Sequence, residues 1–124
     1  MNKTDILIVG AGIAGIVCAD LLSGAGIDVI LLEKEERVGQ KSCAGGLTYK
    51  SLRFLTKIID PDIHKLVKKN ISVSIFLNDT LLKNITSPFP YSIIRRKRLD
   101  RYLFHRIKDK GVLVYFGEII ENIN

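Results

Sequence analysis

Gly10, Gly12 and Gly15, with Glu33 eighteen residues further on, are the residues of this chain whose types and spacing amount to a chemical arrangement. The hexamer Gly10-Ala11-Gly12-Ile13-Ala14-Gly15 is G-x-G-x-x-G. Such a hexamer is weak on its own, because glycine-rich stretches arise by chance. Its weight comes from position, directly after an apolar run and at the start of a helical pattern. The first glycine permits a tight turn, and the second lets backbone approach a pyrophosphate. The third lets the helix lie close to the strand. Unpaired N–H groups at a helix start, with the helix dipole behind them, attract phosphate charge. A carboxylate at Glu33 can accept both hydroxyl hydrogens of a ribose. The chemistry implied is dinucleotide binding, with Gly10, Gly12, Ala14 and Gly15 forming the backbone wall. Glu33 disfavours a ribose bearing a 2′-phosphate, and with it NADP at this site, while NAD and FAD both remain open.

The elements that must position these residues follow from the hydrophobic pattern. Asp5–Val9 is a short apolar run ending at glycine, as expected of a strand buried on both faces. Ile13–Ala25 reads as a helix, with Ile13, Val17 and Leu21 on one face and Gly26 as its stop. Asp28–Leu32 is a second apolar strand closed by Glu33. Strand, helix and strand within 33 residues make a βαβ unit, whose strands must be parallel. Residues 34–46 are polar and glycine-rich, a loop. Leu47–Ile59 is expected to be helical, and a short helix is expected from Pro61 to about Lys69. Ile71–Leu77 and Leu81–Ile85 flank Asn78-Asp79-Thr80, a hairpin signal. Ser87-Pro88-Phe89-Pro90 breaks the pattern before Tyr91–Arg95 resumes it. Leu99–Lys110 is amphipathic, with Leu99, Leu103 and Ile107 inward and Arg98, Arg101 and Lys108 outward, and Val112–Phe116 is a final strand. The expected fold is α/β: a Rossmann-like core with a parallel sheet, plus an inserted β-hairpin and helices, over residues 1–124 as one dinucleotide-binding domain.

Composition bounds the rest. A chain of 124 residues, 47% apolar and without tryptophan, can bury one largely aliphatic core. Two cysteines, Cys18 and Cys43, give neither a disulfide framework nor a metal spacing, and a reducing cytoplasm is the expected setting. Cys18 is expected in the core. His64 and His105 lack partners at ligand spacing and are expected on helix surfaces. Lys3 and the apolar stretch Ile6–Ala19 resemble a secretory signal, but the glycine spacing and the absence of a cleavage-like boundary argue against one. The net charge of +6 is uneven: residues 1–40 hold three basic and six acidic side chains, and residues 41–124 hold sixteen and seven. That basic second part suits an anionic cofactor or an anionic membrane surface. Arg95-Arg96-Lys97-Arg98 lacks the interleaved aromatics of a nucleic-acid reader, so no nucleic-acid partner is expected.

After Glu33 the chain continues Lys34-Glu35-Glu36-Arg37-Val38-Gly39, and this E-K-x-x-x-x-G run resembles FAD enzymes of the glutathione-reductase type. Two further segments narrow the likeness. Lys41-Ser42-Cys43-Ala44-Gly45-Gly46-Leu47 resembles the cysteine-glycine loop of the geranylgeranyl reductases, which belong to the p-hydroxybenzoate-hydroxylase-like flavoproteins. Tyr91–Asp100 resembles that family's Arg-x-x-Phe-Asp segment, with Leu99 in place of Phe.

The resemblance implies FAD as cofactor and places Glu33 on the adenosine ribose. It implies that Cys43, Ala44 and Gly46 line the flavin, that Cys43 is the catalytic candidate on the substrate side, and that Arg96 reaches the FAD. It further implies an oxidoreductase acting on a small molecule or a prenyl lipid and reducing isolated C=C bonds; the basic second part would let such an enzyme dock at the membrane periphery. The electron donor is not implied. Family members are longer and carry a second FAD-contacting Gly-Asp motif, so the chain is expected to be an N-terminal portion that does not turn over alone. Two rivals stay open: another flavoenzyme on this scaffold, either a monooxygenase or an electron-transfer dehydrogenase, and a non-catalytic nucleotide-binding module.

Overall fold

The computed structural model describes residues 3–121. In chain order its elements are β1 (Ile6–Val9), α1 (Ile13–Gly24), β2 (Val29–Glu33), β3 (Gly46–Leu47), α2 (Tyr49–Phe54), β4 (Lys68–Leu77), β5 (Thr80–Ile93), α3 (Arg96–Asp109) and β6 (Leu113–Phe116). A π-helical turn (Leu55–Ile59) and a 3-10 turn (Pro61–Leu66) connect α2 to β4. The fold is α/β, with two compact units: Cys43–Arg95, and the chain on either side of it.

The flanking unit is the Rossmann-like core. Its sheet has the order β1-β2-β6, and both pairings are parallel. Ile8, Leu31 and Val114 share one row across the sheet. α1 packs over β1 and β2 and against α3. Leu99, Leu103 and Ile107 of α3 are fully buried, as their spacing predicts. Gly26, at φ +80°, ends α1, and Ile27 N–H donates back to Leu22 O at 3.1 Å, closing the helix by the glycine stop.

Three expectations are corrected in this unit. β1 is not buried on both faces: Leu7 and Val9 are 51% and 58% exposed. The register puts them in rows with Ile30 and Leu113 and with Leu32 and Tyr115, on the opposite sheet face from Ile8, Leu31 and Val114. Second, α1 buries Ile16, Ala19 and Asp20 rather than Ile13, Val17 and Leu21. The helix is apolar around most of its circumference, so the periodicity does not choose a face. The close approach of Gly15 to Gly10 does, because it fixes the helix rotation. Third, Cys18 is exposed, since it falls off the face that Ile16 and Ala19 turn inward.

Asp20 is a buried carboxylate of this unit, as is Asp100. Its Oδ1 accepts from Arg106 Nε at 2.8 Å and lies 3.0 Å from Lys110 Nζ, which also donates to Asp20 O at 2.9 Å. One carboxylate thus joins α1 to α3.

In the Cys43–Arg95 unit, the antiparallel sheet has the order β3-β5-β4. Asn78 and Asp79 both adopt positive φ, +46° and +61°, the signature of a two-residue primed turn, as the sequence signal requires. The proline-containing break is not a strand end. β5 runs unbroken from Thr80 to Ile93, and the register shifts between Asn70 and Ser72 while the pairing moves from Tyr91 to Thr86. Pro88 therefore sits in a bulge, where its missing N–H removes no ladder bond. The helix expected from Leu47 starts only at Tyr49, because Thr48 caps it and accepts from Ser51 N–H at 3.1 Å. The turn after Pro61 ends at Leu66, and Lys68 and Lys69 already belong to β4. His64 and His105 are exposed.

Candidate functional site

The turn after β1 carries the first part of the site. Gly10 takes φ +99°, a conformation disfavoured for side-chain-bearing residues, and its N–H donates to Leu32 O at 2.7 Å. Gly12 caps α1 with extended backbone and no side-chain cap, and the first helical bond is Ile16 N–H to Gly12 O at 3.0 Å. The N–H groups of Ile13, Ala14 and Gly15 precede that bond and have no helical acceptor. A Cβ on Gly12 would meet nothing within 4 Å, so this face of the turn is open. A Cβ on Gly15 would overlap Gly10 O. The three glycines therefore have three separate reasons.

Glu33, the last residue of β2, supplies the second part. Its Oε2 accepts from Ala11 N–H at 2.5 Å, and its Oε1 accepts from Glu35 N–H at 3.0 Å. The carboxylate is held across the mouth of the glycine turn, and each oxygen keeps a further lone pair to offer. Glu33 O also accepts from Glu118 N–H at 3.0 Å, which fixes the end of the strand.

These groups open onto a cleft of about 480 Å³ whose walls include Ala11, Gly12, Glu33, Arg37, Arg96 and Asp100. Arg96 is the first residue of α3, and its Nε donates to Asp100 Oδ1 at 2.6 Å. Asp100 is itself buried, so the guanidinium is braced from behind. Lys34 and Lys41 also line the cleft, with Glu35 4.0 Å from Lys34. Gly39, at φ +78°, brings its loop against the start of α3: a Cβ there would sit 3.1 Å from Lys97 Cα. The arrangement combines a fixed carboxylate, an open glycine face at a helix start and a braced guanidinium. That donor set fits a diol on one side and a diphosphate on the other, so the residues present fit the adenosine diphosphate half of a dinucleotide such as FAD.

The structure brings Gly12, Glu33 and Arg96 together in this cleft. Gly10 and Gly15 shape the turn behind it, and Ala14 is an exposed residue of α1 outside its walls. Cys43, Ala44 and Gly46 belong to the other unit, where all three are exposed. Their loop is set locally. Cys43 Sγ accepts from Gly45 N–H at 3.3 Å, and Gly45 O accepts from Ile94 N–H at 2.9 Å. Gly45 takes φ +77°, and a Cβ there would overlap Ile94 O, so the second-to-last glycine of that run fixes the loop. Sequence reasoning missed Ala11 and Asp100. Ala11 acts through its backbone and leaves no trace in its side chain. Asp100, four residues after Arg96 on a helix, was legible as an i, i+4 pair.

Comparison with known proteins agrees with this geometry. The profile of a family described as FAD binding domain matches residues 3–124. An uncharacterized protein of Methanosarcina barkeri is 31% identical over 99% of this chain and 31% of its own length. Digeranylgeranylglycerophospholipid reductase 1 of Methanosphaera stadtmanae is 26% identical, also over 99% of this chain and 31% of its own length. Among solved structures, PqsL of P. aeruginosa in complex with 2-aminobenzoylacetate superposes with a TM-score of 0.84 at 21% identity, covering 99% of this chain and 36% of that one. The chain thus spans about a third of the length of the relatives it matches.

Proposed function

We propose, for a chain that belongs to the FAD-binding domain family, that it forms the adenosine-diphosphate-holding portion of an FAD-dependent oxidoreductase that reduces C=C bonds in prenyl chains. The observation that carries this reading is the Glu33 carboxylate, fixed at the open glycine face with Arg96 in the same cleft. Glu33 accepts the ribose hydroxyls, while the α1 N–H groups and Arg96 take the diphosphate. Gly10 and Gly15 hold the turn, and Ala14 keeps the first helical turn small. Cys43, Ala44 and Gly46 line the ring, with Cys43 on the substrate side. When bound, FAD supplies the hydride chemistry. The protein's part is to bind, orient and exclude water.

The prenyl-lipid substrate is supported by the Methanosphaera relative, whose name states a glycerophospholipid reductase. Among the described residues no helix is long and apolar enough to cross a membrane. The excess of basic side chains after residue 40 supports a peripheral contact with an anionic membrane surface, for a protein placed in the cytoplasm.

Flavin fluorescence quenching by the purified chain tests the proposal. Saturable binding of FAD in preference to NAD, lost in Glu33→Ala and in Gly12→Val, is the expected result. Equal quenching by wild type and Glu33→Ala would remove the carboxylate from the site.

A further inference from the structure

The Cys43–Arg95 unit holds eight basic and three acidic side chains, and the cations are not evenly spread. Arg53, Lys57 and Lys69 line one cleft of about 440 Å³ together with His64, and no carboxylate is among the described residues of its walls. Thr56 belongs to its floor and turns its hydroxyl inward to Leu52 O at 2.9 Å. The nearby acids are engaged elsewhere. Asp62 pairs with Lys65 at 2.9 Å, and Asp60 Oδ1 accepts from Asp62 N–H at 2.9 Å.

The same Arg53 and Tyr49 also line an adjoining groove of about 520 Å³ with Phe89 and Tyr91. This groove is predominantly apolar. Tyr49 and Phe89 contact each other at a centroid distance of 5.3 Å, and all three rings are between 44% and 59% exposed. Phe54 and Ile58, each one residue beyond a cation of the cleft, are also exposed.

We infer that this unit carries a site for an anionic phospholipid at a bilayer surface. The phosphate is held among Arg53, Lys57 and Lys69, and the apolar portion lies along Tyr49, Phe89 and Tyr91. Charge complementarity selects the headgroup, because a cleft whose charged lining is the basic Arg53, Lys57 and Lys69 is stabilised by an anion. The adjoining apolar groove selects an amphiphile over a free phosphate. A nucleic acid is disfavoured, since Tyr49 and Phe89 are tilted at 38° against each other rather than set apart as stacking platforms. The choice of a phospholipid rests on the lipid reading above, whereas the cleft and groove stand on their own residues.

Cosedimentation of the full chain with phosphatidylglycerol vesicles, with phosphatidylcholine vesicles and with a single-stranded oligonucleotide tests this. Phosphatidylglycerol binding is expected to be at least about tenfold tighter than phosphatidylcholine binding. Arg53→Ala with Lys57→Ala should lose roughly 25-fold, since each basic residue near an anionic surface is worth about a factor of five. Arg101→Ala with Lys108→Ala removes the same charge from α3 and should change binding less than about threefold. Phe89→Ala should weaken it by roughly tenfold.

Equal losses in the two double variants, no preference for anionic vesicles, or tighter binding of the oligonucleotide would each overturn the inference. FAD quenching on the same preparations separates the two readings. A chain that binds FAD but not vesicles lacks the phospholipid site, and one that binds vesicles but not FAD lacks the cofactor site.

Discussion

The carboxylate of Glu33 accepts a 2.5 Å hydrogen bond from the backbone N–H of Ala11, so the end of the second strand is bonded to the glycine turn after the first. That contact ties the anion at the ribose position to the backbone at the phosphate position. Any substitution of Glu33 therefore acts on the cofactor and on the turn together.

Glu33→Gln keeps the side-chain size but removes the charge. It is expected to weaken FAD binding roughly 10- to 100-fold, the effect of losing charge-assisted hydrogen bonds worth about 1.5–3 kcal/mol. The folded state should lose less, because the amide oxygen still accepts from Ala11. Titration of FAD, with urea unfolding in parallel, checks both halves.

Gly12→Ala and Gly15→Ala make a discriminating pair. A Cβ at position 12 meets nothing within 4 Å, so that variant should fold normally and lose cofactor affinity. A Cβ at position 15 overlaps Gly10 O, so that variant should unfold at markedly lower urea. Circular dichroism and flavin quenching together would show the two losses separated. Identical behaviour would contradict the roles assigned to the two glycines.

Asp100→Asn removes the anion that braces Arg96 at 2.6 Å. Arg96 should then sample more conformations, and FAD affinity should fall by a smaller factor than for Arg96→Ala. An affinity unchanged in Asp100→Asn but lost in Arg96→Ala would mean that the guanidinium needs no brace.

Asp20→Ala leaves Arg106 and Lys110 without their shared acceptor at the α1–α3 contact. The expected cost is about 2–3 kcal/mol, below the roughly 3–5 kcal/mol of a fully buried broken pair because both cations keep some water. Chemical denaturation measures it directly.

Asp79→Gly should raise the melting temperature. Asp79 takes φ +61° at the second position of the turn, where glycine pays no steric penalty, and a gain of about 0.5–1 kcal/mol is expected.

Much of this protein is legible in its amino acids. The βαβ unit, the parallel pairing, the buried stripe Leu99–Leu103–Ile107 and the Asn78–Asp79 turn all rest on local rules: a period, a glycine stop, a two-residue turn signal. The cleft was partly legible, because Gly12 and Glu33 belong to one short motif. What failed did so for a shared reason. Where α1 is apolar nearly all round, periodicity is degenerate, and only the contact between Gly15 and Gly10 chose Ile16 and Ala19 as the inner face and left Cys18 outside. Pro88 looked like a strand end because a proline's cost depends on whether a partner needs its N–H, which only the register with β4 reveals.

The sequence by itself determined the fold class and the residues able to bind a dinucleotide, since both follow from short-range patterns of apolar and glycine positions. Only the tertiary structure decided that Arg96 of α3 shares a cleft with Glu33 of β2, and that Lys69 of β4 shares one with Arg53 and Lys57. Those pairings join residues from separate elements, and their geometry is set by helix rotation and strand register, which no local pattern encodes.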